Sequence, residues 1–134
     1  MAFFSQSRTV LFQEVDAAGI VFFARFFEWF HDAYAAGLAA RGIRFEKVFA
    51  ESPWGLPLVH AEADYREPLG FAAPFRVDVE SVAVGDTSIT VTYAVRGGAD
   101  GAKLHATGKT VHVCIDRKTF RSVPVPAELR SALA

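Results

Sequence analysis

A lone carboxylate, Asp16, stands in front of a small-residue turn, Ala17-Ala18-Gly19, and a run rich in aromatics that includes Phe22, Phe23, Phe26 and Phe27. Between Asp16 and Glu28 there is no Ser, Thr, Asn or Asp. A helix starting near Phe23 would therefore begin with N–H groups that have no side-chain partner. Such donors, at the positive end of the helix dipole, suit a carbonyl oxygen that becomes anionic during acyl transfer. Gly19 grants the backbone angles that fold Asp16 back toward them. A carboxylate, a backbone oxyanion site and a greasy wall together suit cleavage of an activated acyl group, such as a thioester, on an apolar body. The carboxylate would either attack the carbonyl, giving a transient anhydride, or draw a proton from water.

The plainer use of Asp16 is to shape a strand-end turn, and the plainer use of the Phe cluster is core packing. Ile20 and Val21 weigh against a cap, because a β-branched pair after Gly19 makes a poor first helical turn. His31 reads as a satisfied helix histidine. His60, His105 and His112 are scattered over two strands without metal-ligand spacing, so no metal is expected. There is no G-x-S-x-G elbow, no Gly-rich phosphate loop and no dinucleotide fingerprint, and no cofactor is expected.

The elements that must position Asp16 follow from periodicity. Residues 8–15 carry β-branched and aromatic side chains without helical spacing and read as a strand that Asp16 breaks. Alanine density and the spacing of Phe26, Phe30, Ala33, Gly37 and Leu38 predict a helix over 24–41, stopped by Gly42. Its polar members Arg25, Glu28 and Asp32 form one narrow stripe, so a helix apolar nearly all round must be wrapped. Strands follow over 57–68, over 74–84 with a change of face near Ser81, over 87–95, and over about 103–115 with a bulge or bend at Gly108. Gly85-Asp86 suits a type II′ hairpin and residues 97–101 a longer one. The tail after 123 reads as a short helix or an extended segment. One strand, one long helix and four antiparallel strands make an α+β domain with helix and sheet segregated.

Composition narrows the function classes. At 134 residues the chain makes one domain, and its 51% hydrophobic content leaves a thin polar shell, so an oligomer is expected. Fourteen Lys and Arg against fifteen Asp and Glu give a formal charge of -1. With no basic stripe, nucleic acid is not an expected partner. A single cysteine, Cys114, excludes an intrachain disulfide, and the N-terminus lacks the pattern of a signal peptide. The longest apolar run, 17–24, is far shorter than the ~20 residues of a membrane span. A soluble, cytoplasmic protein without a membrane partner is the expectation.

The stretch VDAAGIVFFARFFEWFHDAY resembles the signature of the hot-dog-fold acyl-CoA thioesterases of the 4-hydroxybenzoyl-CoA thioesterase type, D-x-x-G-[IV]-V-[YFW]-F followed by an aromatic-rich helix. The match continues in LPLVHAEADYREPL and KTVHVCID, which look most like the subgroup acting on 1,4-dihydroxy-2-naphthoyl-CoA. The resemblance implies a single hot-dog thioesterase domain over 1–134, a curved antiparallel sheet wrapped around one long central helix. It carries the catalytic carboxylate onto Asp16 and the oxyanion-binding backbone amide onto Phe23, with Gly19 and Ile20 holding the loop between them. Phe22, Phe26 and Phe27 fall on the apolar wall, Phe22 replacing the Tyr of many relatives. His60 matches a histidine of the naphthoyl subgroup that would meet a polar ring substituent. The family pairs subunits through the strand matching 57–66, and its dimers usually join into tetramers. Nothing fixes the CoA phosphate site, for which Lys103, Lys109, Arg117 and Lys118 are candidates. The implied activity is hydrolysis of an aromatic acyl-CoA. A short- or medium-chain aliphatic acyl-CoA, a dehydratase of the same fold and a non-hydrolytic binder of acyl-CoA or acyl-carrier thioesters are the alternatives. A dehydratase would need a histidine at the helix mouth, which this chain lacks.

Overall fold

Residues 2–134 are described by a computed structural model. Strand β1 (Phe4–Thr9) leads through a 3-10 turn (Phe12–Glu14) and a loop into helix α1 (Arg25–Ala40), followed by a short helix α2 (Phe45–Glu51). After the two-residue strand β2 (Trp54–Gly55) come the long strands β3 (Leu58–Tyr65), β4 (Pro74–Val84), β5 (Ser88–Gly97) and β6 (Lys103–Val113). The short β7 (Ile115–Asp116) pairs with β2, and α3 (Ala127–Ala132) closes the chain. The main sheet has five antiparallel strands in the order β1-β4-β5-β6-β3. It curves around α1, which is the hot-dog arrangement that the sequence and its resemblance imply.

The helix ends as expected. Gly42 takes φ +89°, and the amides of Gly42 and Ile43 donate to the carbonyls of Ala39 and Leu38, a Schellman closure that only a residue at ease with positive φ accepts readily. Phe26, Trp29, Phe30, Ala33, Tyr34, Gly37 and Leu38 are buried against the sheet. Phe30 stacks on Tyr93 at 4.6 Å, Tyr34 on His112 at 4.1 Å, and Trp29 leans on Phe75 at 4.5 Å. One chain covers only this face. Ala35, Ala36 and Ala39 stay half-buried and His31 is exposed, so the wrapping expected for an almost wholly apolar helix is incomplete.

Several local expectations are corrected. The first strand lies at 4–9, not 8–15, because the chain turns after Val10 where the Glu14 carboxylate folds back to accept the Leu11 N–H at 2.9 Å. The strand expected over 57–68 is β3 and stops at Tyr65, where Arg66 and Glu67 both donate to the His105 carbonyl. The register shift in β6 falls at this same His105, between Val95 and Arg96 of β5, and not at Gly108. Gly108 sits in regular register, and it is glycine because a Cβ there would meet the Phe30 ring at 2.3 Å. The expected change of face near Ser81 is a register shift between Val79 and Ser81. Gly85 does not take positive φ, so its turn is not type II′; it closes by an N–H to the Ser88 carbonyl at 2.7 Å. The longer hairpin does use left-handed residues, Gly98, Asp100 and Gly101. Helix α2 and the β2–β7 pair are additional to the sequence-based expectation.

Candidate active site

The loop from Glu14 to Ala24 is held at both ends and along its length. Asp16 N–H donates to the Ile20 carbonyl at 2.9 Å, and Gly19 N–H to the Asp16 carbonyl at 3.0 Å. Gly19 at φ +78° lets the turn close that tightly. Val21 N–H donates to Leu69 O at 2.8 Å and Phe22 N–H to Glu14 O at 2.9 Å, so the loop is stitched to the 69–71 segment and to its own start. The Asp16 side chain accepts the Ala18 N–H through Oδ1 at 2.8 Å. Its second oxygen has no protein partner among the described residues. Asp16 therefore shapes the turn and still presents an open carboxylate oxygen.

The orphan donors at the helix mouth are fewer than the sequence suggests. Arg25, Phe26 and Phe27 donate to the carbonyls of Phe22, Phe23 and Ala24 in a tight opening turn, which uses amides the absence of a cap would otherwise leave open. The N–H groups of Phe23 and Ala24 have no acceptor among the described residues. Both stand at the positive end of a sixteen-residue helix. The Phe23 carbonyl accepts the Tyr65 hydroxyl at 3.0 Å as well as the Phe26 N–H, which holds the Phe23–Ala24 peptide whose open N–H is that of Ala24.

Asp16 and Phe23 line one cavity of about 460 Å³, together with Ile20, Phe22, Phe26 and Tyr65. Its lining is mostly apolar and includes four aromatic rings, while Asp16, Arg66 and Glu67 bring charged groups to it. Burial pushes the Tyr65 hydroxyl up, so it stays a neutral donor. Tyr65 also meets Phe26 edge-on at 5.0 Å, which ties the edge strand β3 to the helix start.

The structure thus brings Asp16, Ile20, Phe22, Phe23 and Phe26 together, with Gly19 closing the turn behind them. It does not bring Phe27 or His60 to this cavity. Phe27 packs edge-on against Phe30 at 5.9 Å and belongs to the core margin. His60 shares a strand face with Glu62 and Asp64, opposite to the Ala63 and Tyr65 face that meets α1, and its Nε2 pairs with Glu62 at 2.9 Å. A two-residue period decides that face, and no register shift intervenes between 60 and 65. Two residues escaped the sequence reading. Tyr65 lies within the matched stretch LPLVHAEADYREPL, but nothing in that stretch gives it a place at the helix mouth. Glu14 looks like an ordinary strand residue, yet it is 5% exposed and bonds the Trp29 indole N–H at 2.8 Å. A carboxylate amid apolar neighbours two residues before Asp16 was the signal.

Of the four cations suggested for CoA phosphates, Arg117 is already spent on the carbonyls of Val48, Phe49 and Ser52 at the end of α2. Lys103 and Lys109 lie 3.9 and 3.7 Å from Glu67 and Glu62. Among the described residues no group of three His, Cys, Asp or Glu is placed to hold a metal ion. No helix there is long and apolar enough to cross a membrane.

Residues 10–133 match the model of the thioesterase-like superfamily. The chain belongs to that superfamily. This thioesterase-like protein is 32% identical over 134 residues to the 1,4-dihydroxy-2-naphthoyl-CoA hydrolase of Synechococcus elongatus, covering 99% of this chain and 96% of the relative. The enzyme of the same name from Rippkaea orientalis is 35% identical over 123 residues, 92% of this chain and 89% of the relative. Among solved structures, a 1,4-dihydroxy-2-naphthoyl-CoA thioesterase from Synechocystis superposes with a TM-score of 0.90 at 27% identity, covering 97% of this chain and 94% of that one. A gentisyl-coenzyme A thioesterase does so with a TM-score of 0.84 at 26% identity, covering 97% and 99%.

Proposed function

We propose that the protein hydrolyses an aromatic acyl-CoA, with 1,4-dihydroxy-2-naphthoyl-CoA the first compound to test. The observation that carries this reading is the joint placement, on one largely apolar cavity, of Asp16 with an open carboxylate oxygen and Phe23 with an unpaired amide. The relatives named above supply the acyl class. The thioester oxygen would rest against the Phe23 amide and gain negative charge as the carbonyl carbon is attacked. The attacker is either the Asp16 carboxylate, giving an acyl anhydride that water then opens, or a water molecule whose proton passes to Asp16. In both routes the C–S bond breaks, CoA leaves as a thiolate that takes up a proton, and the free acid remains.

A second copy of the chain completes the picture. All but one residue of edge strand β3 is exposed, and Leu58 and Val59 stand 50% and 60% open. Antiparallel pairing of two such strands brings the Tyr65 end of one beside the Leu58 end of the other. In such a pair the Asp16 cavity of one copy would lie toward the partner's second, more apolar cavity, which measures about 590 Å³ and is lined by His31, Tyr34, Phe45, Phe49, Leu58 and Phe120. That arrangement offers the ring a place beyond the thioester. Dimers are therefore expected, with tetramers implied only by the family resemblance, and sedimentation at micromolar concentration checks it; a stable, active monomer would contradict the shared site. The buried, unpaired Cys114 accords with a reducing cytoplasm.

The direct test is Asp16→Asn. The amide oxygen can still accept the Ala18 N–H, so the turn survives while the charge is lost. Single-turnover hydrolysis should fall about 10²-fold or more, with melting temperature and affinity for a non-hydrolysable acyl-CoA analogue near the parent's. Near-parent hydrolysis by the folded variant would refute the role of Asp16. A panel of acyl-CoAs in which straight-chain substrates give the best kcat/KM would remove the aromatic assignment.

A further inference from the structure

Glu14 is a carboxylate in the wrong place for a surface residue. It is 5% exposed, and no Lys, Arg or His lies within salt-bridge distance among the described residues. Burying a charged group without partners is costly, so its hydrogen bonds matter. Oε1 accepts the Leu11 N–H at 2.9 Å and Oε2 accepts the Trp29 indole N–H at 2.8 Å. Its own carbonyl accepts the Phe22 N–H at 2.9 Å, and its N–H donates to Leu11 O at 3.0 Å. Trp29 cannot yield, because it is 1% exposed and wedged between Phe26 at 5.0 Å and Phe75 at 4.5 Å. One side chain therefore fastens the base of the Asp16 loop to the second turn of the helix whose mouth presents the Phe23 and Ala24 amides. Asp16 follows Glu14 by two residues with only Val15 between, and Val15 is itself bridged to Val21.

We propose that Glu14 is a positioning residue for thioester hydrolysis, fixing where the Asp16 carboxylate stands relative to the amides at the helix mouth. This rests on the role given to Asp16 above. Placement errors of about 1 Å at a reacting group can cost about 10²-fold in rate, so a single buried strut can matter without touching substrate. Both partners of Glu14 are donors and both its oxygens accept. Glu14→Gln keeps the shape but turns one acceptor into an NH2 group aimed at a donor, and one of the two contacts must break.

The test measures single-turnover hydrolysis, affinity for a non-hydrolysable acyl-CoA analogue and melting temperature in the parent, Glu14→Gln, Asp16→Asn and the double variant. Glu14→Gln should lower the hydrolysis rate about 10-fold or more while analogue affinity stays within about 3-fold. In the Asp16→Asn background the same change should cost no more than about 2-fold, because the group being positioned is gone. A folded Glu14→Gln with the parent rate overturns the proposal, and so does an equal loss in both backgrounds, which would mark general loosening. If Glu14→Gln does not fold, Trp29→Phe serves: it keeps the carboxylate, deletes one donor, and should cost about 3- to 10-fold in rate only when Asp16 is present. A parent rate in that variant overturns the proposal. Asp16→Asn, measured alone, tells failure of the site reading apart, since it leaves Glu14 untouched.

Discussion

Gly108→Ala tests whether the central helix is pressed onto the sheet as tightly as the geometry demands. A Cβ built on Gly108 lies 2.3, 2.5 and 3.0 Å from three atoms of the Phe30 ring, where carbon–carbon contacts normally open to about 3.5–4 Å. The ring must therefore shift by about 1 Å. It has little room: it stacks on Tyr93 at 4.6 Å and 19°, meets Phe27 edge-on, and is 0% exposed. The strand cannot yield either, because Gly108 is paired with Tyr93 on one side and Ala63 on the other. Forced overpacking of this kind costs about 1–3 kcal/mol, and the two-sided clamp puts Gly108→Ala at the upper end. Replacing glycine returns about 0.4–1 kcal/mol by restricting the unfolded chain. A net loss of about 2 kcal/mol remains, and for a chain of 134 residues it lowers the melting temperature by roughly 7 °C. Calorimetry at one fixed protein concentration measures it, since association would otherwise shift the midpoint. Phe30→Leu in the same chain should recover part of the loss by vacating the ring. A Gly108→Ala protein that melts with the parent, or a double variant whose losses simply add, would refute the contact as the reason for glycine.

Two further expectations concern histidines. His112 is buried and its pKa is lowered to about 4, chiefly by burial, with the nearby His31 adding to it and a hydrogen bond to the Leu56 backbone opposing it. The unfolded chain takes up its proton near 6.5 while the folded one does so only near 4, so this contribution to stability is complete above about pH 6.5 and is lost as pH falls from there toward 4. His112→Phe should flatten the fall in melting temperature between those limits, and an unchanged slope would count against the neutral, buried ring. His60→Gln should leave kcat/KM within about 3-fold of the parent, because the ring faces away from α1 and toward Glu62; a larger loss would return His60 to the substrate.

Legibility followed the range of the forces involved. The long helix was readable because its burial repeats every three to four residues, and the strands from β4 onward because alternation and Gly-rich turns mark them. The start of the chain misled, since a β-branched, aromatic composition persists through residues 10–15 while the backbone has already left the sheet. What turned it was one side-chain hydrogen bond from Glu14 to Leu11, which no periodicity records. Gly108 was rightly singled out and wrongly explained: the sequence shows the missing side chain, but the ring that needs the space comes from Phe30, 78 positions earlier. Helix α2 escaped for a similar reason, because its carbonyls are closed by Arg117 from far along the chain.

The candidate site divides along the same line. Asp16, Gly19 and Phe23 are separated by few residues, so a local motif specifies them. Tyr65 and Leu69 reach the cavity from a distant part of the chain, and the matched stretch that contains them gives no sign of that placement. Local spacing could propose two groups but could not say what holds them at a working distance. That distance depends on a loop anchored to a helix by contacts spanning 15 residues in Glu14–Trp29 and 42 in Tyr65–Phe23. The Tyr65 bond holds the Phe23–Ala24 peptide by its carbonyl, and the Glu14 bonds fix the loop that ends on Phe22, whose carbonyl shares a peptide with the Phe23 N–H. Oxyanion stabilisation depends on donors whose direction is set before charge develops. An oxyanion site made of backbone amides would let the aromatic residues of the cavity, Phe22 among them, vary without disturbing the donors. The wall residues are where acyl preference would change, and Glu14, Tyr65 and Gly19 are where rate would.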